Sequence, residues 1–244
     1  ICFLLMPLPV VFYRVKLGKN SSAVMSAAAL AVIWALGAGR PVDLWLMFFM
    51  MGLGFALGNA IEKGFSIEKT IAYACGTVLA GATTALFFLG SVSETGPLQL
   101  VSDYLRENLE MTAAAYEDMG LQDKRIQLLK DSLDRVHYVL IRVMPALALS
   151  GLIFAGWANL LLARITLRAR HLLQSDFGRL NRWKAPDALV WAVIGCAVLV
   201  LVTGGPLSYI GINGLILLML IYLFQGLAVI SFYFESKQVP VFLR

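Results

Sequence analysis

Apolar runs of about twenty residues recur along almost the whole chain, and that is the length an α-helix needs to cross a bilayer. They cover residues 21–39, 44–61, 70–91, 139–163, 187–203 and 209–234, with a shorter, partial one over 1–13. Composition points the same way, with 59% of residues hydrophobic and only 14% charged, where soluble chains carry about a quarter. The expected fold class is therefore all-α, a polytopic transmembrane helix bundle forming a single membrane domain over 1–244. The chain opens on ICFLLMPLPV without Met and stops at VPVFLR as a further segment begins, so both ends read as cut from a longer protein. The first run then reads as the end of a helix or a broken one, with Pro7 and Pro9 at the break.

Charge alternates from loop to loop. The connections at 14–19, 62–69, 164–187 and 235–244 hold most of the Lys and Arg, whereas those at 39–43 and 203–209 are neutral or uncharged. The strongest is 164–187, where Arg164, Arg168, Arg170, Arg179, Arg182 and Lys184 face only Asp176 and Asp187. Basic loops resist translocation. All four are expected in the cytoplasm, with the chain multi-pass in a bacterial inner membrane and its basic loops meeting anionic headgroups of the lipid bilayer. The net charge of +5 is explained by these loops and not by a basic face for nucleic acid, so no nucleic-acid partner is expected.

The stretch 92–138 differs in kind. Between Val92 and Arg135 it holds nine acids against five bases. Val101, Tyr104, Leu105, Leu109, Thr112, Tyr116 and Met119 recur at helical spacing, and a second series from Ile126 to Val143 runs on into the next span. These are two extracytoplasmic amphipathic helices, broken at Gly120, the second continuous with the helix that reaches Arg164. They read either as a solvated cap or as a lid over a site.

Enzyme signatures are missing. There is no GxxxxGK[ST] loop for ATP, no HExxH, and no paired carboxylates inside a span. Cys2, Cys75 and Cys196 lie apart in apolar surroundings, as packing residues. The chain is therefore expected to be no enzyme, with no catalytic residue, no metal and no cofactor. Buried polar groups remain. Toward the outer face fall Asp43, Trp45, Thr84, Arg142, Tyr209 and Asn213, the candidates for lining a small-molecule pocket. Snorkelling or pairing with the acidic stretch is the alternative for Arg142. Asn159 and Gln225 fall toward the inner half and read as interhelical hydrogen-bond partners. Gly54 and Gly58, in G-x-x-x-G spacing, read as a helix-packing seam, with a substrate-facing groove as the alternative.

Trp183-Lys184-Ala185-Pro186-Asp187, the preceding WANLLLARI, FQGLAVISFYFE at 224–235 and PLPVVFYR at 7–14 resemble the YybS-like family of bacterial multi-spanning membrane proteins. That family is in turn similar to the substrate-binding S-components of energy-coupling-factor transporters. The resemblance implies a small-molecule pocket toward the outer face, and work alongside a separate membrane scaffold and ATPase. Ala27, Ala31 and Ala35 repeat the Ala-x-x-x-Ala spacing by which S-components dock. The chain departs from that plan in having more helices and a long acidic insertion. Two functions follow as expectations: binding or transport of a small solute without an ATPase of its own, or a non-transporting scaffold or accessory subunit whose acidic helices bind a protein.

Overall fold

The computed structural model describes residues 2–35, 41–92, 96–118, 123–172 and 183–237, and within these every side chain except those of 2, 41–42, 116–118 and 123–131. The end of the run 21–39, the break at Gly120, the loop residues Asp176, Arg179 and Arg182, and Arg244 lie outside the described residues. Eight helices make up the described chain: α1 (Cys2–Leu5), α2 (Pro7–Ala35), α3 (Pro41–Glu62), α4 (Ile67–Val92), α5 (Pro97–Asp118), α6 (Asp123–Ala169), α7 (Leu189–Val202) and α8 (Pro206–Ser236). Among the described residues there is no strand, and the protein is an all-α helical bundle.

Among the described residues, four helical stretches are long and apolar enough to cross a membrane: Asp43–Glu62, Ile67–Val92, Ser132–Ala169 and Pro206–Ser236. Two of the expected runs are not among these four. The helix over the run 187–203 is α7, whose 14 residues rise only about 21 Å at 1.5 Å each, short of the roughly 30 Å hydrocarbon layer. The described part of the run 21–39, residues 21–35, lies in the later part of α2. The basic stretch 14–19, expected as a loop, is helical apart from Gly18, which takes φ 83° and kinks α2. Only glycine adopts that conformation without strain.

The chain divides into two compact units: unit 1 comprises 1–82, 149–186 and 220–244, and unit 2 comprises 83–148 and 187–219. Unit 1 is built on α3. Leu53, Leu57, Val11 and Leu167 are fully buried there. Gly54 and Gly58 let α2 lie against α3 with nothing between: a Cβ on Gly54 would sit 2.6 Å from the Pro7 carbonyl, and one on Gly58 2.5 Å from Arg14 Cγ. The G-x-x-x-G pair is a packing seam.

In unit 2, α5 pairs with the first part of α6, where Ser102 Oγ lies 3.2 Å from His137 Nε2. α7 and α8 cross closely, because Gly211 and Gly214 leave room for the Cys196 carbonyl and thiol. Pro145 interrupts α6. Asn213 of α8 covers the interruption: its Oδ1 accepts from Ala146 N–H at 3.1 Å and its Nδ2 donates to the Arg142 carbonyl at 2.8 Å. These are the two backbone groups, four residues apart, that an unbroken helix would join to each other. A neighbouring side chain completing the backbone at a proline is how membrane helices tolerate such breaks.

Candidate functional site

Of the six outer-face candidates, the structure brings Arg142, Tyr209 and Asn213 together in unit 2. Their interactions are mutual. The Arg142 guanidinium lies 3.4 Å from the centroid of the Tyr138 ring and 5.2 Å from that of Tyr209, and its Nη1 donates to the Tyr138 carbonyl at 2.8 Å. Asn213 spends its amide on backbone, donating also to the Tyr209 carbonyl at 2.7 Å. Thr84 is exposed on the unit 2 part of α4. Asp43 and Trp45 belong to unit 1, where Asp43 stands in the first turn of α3 and Trp45 stacks on Phe49 with ring centroids 6.1 Å apart.

The inner-half pair also lies in unit 1. Asn159 is fully buried and its Nδ2 donates to the carbonyls of Leu4 and Ala155, each at 2.7 Å. Leu4 lies just before the break at Met6, where α1 ends and Pro7 opens α2. A second asparagine thus completes a second proline break. The buried Oδ1 of Asn159 and the buried Oε1 of Gln225 both lack a hydrogen-bond partner among the described residues.

A cleft of about 610 Å3 lies in unit 1, formed by α4, α6, α8 and the segment at Trp183. Ligand pockets occupy roughly 300–1,000 Å3. Its walls are apolar, among them Ile71, Leu79, Ile153 and Leu227, with Glu68, Ser231 and the Trp183 indole as polar exceptions. Trp157 and Phe224 form an aromatic wall, stacked at 4.6 Å and 25°. Gly76 lines the cleft, and a Cβ there would meet nothing within 4 Å. None of the six outer-face candidates lines it.

Beside it lies a polar chain that sequence reasoning missed. Arg14 is 4% exposed, tucked over Gly58 and against the Phe55 ring at 4.7 Å. Its Nη2 donates to Glu62 Oε2 at 2.9 Å and to Asn59 Oδ1 at 3.4 Å, while Asn59 Nδ2 donates to Tyr73 Oη at 3.0 Å. The sequence signal was Asn59 and Glu62, placed one and four residues beyond Gly58. An arginine in a basic stretch read as a loop residue instead.

The family described as "Predicted membrane protein (DUF2232)" matches residues 1–244. The chain belongs to this family. It is also similar to "Uncharacterized protein YybS" of Bacillus subtilis (strain 168), at 24% identity over 244 residues, covering 96% of this chain and 76% of that protein. No solved structure gives a significant match. The family establishes a membrane protein of the YybS-like kind, in keeping with its four long apolar helices.

Proposed function

We propose that this protein binds a small lipophilic solute in the unit 1 cleft, as a membrane component with neither catalysis nor an ATPase of its own. One observation carries the reading: a cleft of ligand size, about 610 Å3, whose walls are apolar and whose polar groups are few. A small number of placed polar groups on an apolar wall orients a ligand without demanding much desolvation. Glu68 accepts, so a solute bearing a donor or a positive charge suits it. Trp157, Trp183, Phe224, Leu227 and Ser231 come from the stretches that carry the family resemblance. The chain would sit in a bacterial inner membrane with its basic loops in the cytoplasm, as loop charge favours.

Native mass spectrometry of the full chain, released from its membrane, tests the binding. A retained small molecule is expected for the parent, and Gly76→Leu should lose it while unfolding at the same temperature or higher. The added side chain enters open space, and leucine is the better helix former by somewhat under 1 kcal/mol. A protein retained in place of a small molecule, or a solute kept equally by Gly76→Leu, would sink the reading. Orientation is read separately: a thiol placed by His171→Cys should label only from the cytoplasmic side.

A further inference from the structure

A second cleft in unit 1, of about 500 Å3, runs along the hairpin of α3 and α4 and is floored by the later part of α2. Its direction follows from two pairings. Asn59 meets Tyr73 near the hairpin turn, and Phe49 meets Gly81 at the far end, 3.6 Å from where a Cβ would stand. The eleven helical steps from Phe48 to Asn59 give the cleft a length of about 16 Å. At the turn end its lining is polar, with Asn59, Tyr73 and Thr77. Farther along it is Leu30, Phe48 and Gly81. The turn lies at the ends of the spans Asp43–Glu62 and Ile67–Val92, so the polar end is at headgroup level and the apolar end toward mid-bilayer.

The polar end is also fixed in sense. Arginine only donates, so Asn59 must turn Oδ1 toward Arg14 and Nδ2 toward Tyr73. The Tyr73 oxygen therefore accepts, and its proton is left to donate. Among the described residues no acceptor takes it. Lys63 adds a positive charge, its ammonium 5.4 Å from the Tyr73 ring centroid. Arg14 lies behind with Nε and Nη1 buried and unpartnered, its charge offset by Glu62. A donor-rich, positive end at headgroup level, leading into an apolar trough, complements an anion carried on a hydrocarbon chain.

We propose that this cleft holds one anionic phospholipid, its phosphate at Tyr73 and Lys63 and one acyl chain along the α3–α4 seam toward Gly81. The site is independent of the solute cleft. The full chain in detergent, supplied with phosphatidylglycerol, with phosphatidylcholine of the same chains, or with inorganic phosphate, gives the measurement by native mass spectrometry. Expected is one retained phosphatidylglycerol, favoured about tenfold over phosphatidylcholine and not displaced by millimolar phosphate. Tyr73→Phe should lower retention about tenfold, the size of a charge-assisted hydrogen bond. Gly52→Leu should abolish it, because Gly52 lines the cleft and a Cβ there meets nothing within 4 Å, leaving the fold intact. Gly76→Leu, in the other cleft, should leave it unchanged. Equal retention of the two lipids, displacement by free phosphate, or unaltered binding in Gly52→Leu would each overturn the proposal.

Discussion

Units 1 and 2 differ in how completely they use their polar groups. In unit 2 the amide of Asn213 is used on both sides, and Arg142 lies over the Tyr138 ring while donating to that residue's own carbonyl. In unit 1 the buried atoms Arg14 Nε and Nη1, Ser150 Oγ, Asn159 Oδ1 and Gln225 Oε1 have no partner, and among the described residues every such atom belongs to this unit. Both ligand-sized clefts described above are there too. A buried polar atom without a partner costs roughly 1–3 kcal/mol, so a structure keeps several in one place only against some return. Unit 2 uses polarity to hold helices. Unit 1 does so too, at Asn159 and Arg14, but also leaves buried polar atoms and space unused, the feature on which the proposed binding rests.

The two asparagines give the largest effect by which to break this contrast. Asn213→Leu strips the partner from both the Ala146 N–H and the Arg142 carbonyl at once, and we expect it to cost about 2 kcal/mol, near the upper range for polar contacts between membrane helices. Asn159→Leu removes a donor but also an acceptor that was already orphaned, so about 1 kcal/mol is expected. Unfolding of each variant by a denaturing detergent measures the difference. A control isolates the cause: with Pro145→Ala in place the helix can close its own 146-to-142 bond, and the cost of Asn213→Leu should fall by about 1 kcal/mol in a double-mutant cycle. Equal costs for the two asparagines, or no coupling to Pro145, would remove the distinction between the units.

How far these features could be read from the chain depends on whether their causes are local. Runs of apolar residues set helices by length alone, and the break at Pro7 needs only the missing N–H. The close approach at Gly54 and Gly58 was equally local. Arg14 was not legible. Its burial depends on a glycine and a carboxylate 44 and 48 positions away, and nothing in residues 14–19 distinguishes a buried guanidinium from a solvated one. Arg142, Tyr209 and Asn213 were visible as polar residues at one membrane depth. The need that Asn213 answers arises at Pro145, and their pairing is tertiary. The clefts were hidden for a different reason. They are lined by residues such as Ile71, Ile153 and Leu227 that look in sequence like any others facing lipid or core.

Gln225 supplies the finest test, because it separates a polar atom held in reserve from one that is merely unsatisfied. Its Oε1 is buried in unit 1 without a partner, one residue from Phe224 of the solute cleft. Methionine matches glutamine in length and flexibility while removing the orphaned carbonyl. If the atom does nothing for the fold, Gln225→Met should raise stability by about 0.5–1 kcal/mol, since replacing an unsatisfied polar group by an apolar one of the same shape recovers part of its desolvation cost. Solute retention decides the rest. A variant that is more stable and retains the solute would mark Gln225 as unrelated to binding. One that is more stable yet releases it would mean that the amide reaches the ligand, and that unit 1 gives up stability at this position to keep a donor or acceptor for it. A variant destabilised by 1 kcal/mol or more would show Gln225 already engaged within the fold, and unit 1 would then differ from unit 2 at one position fewer.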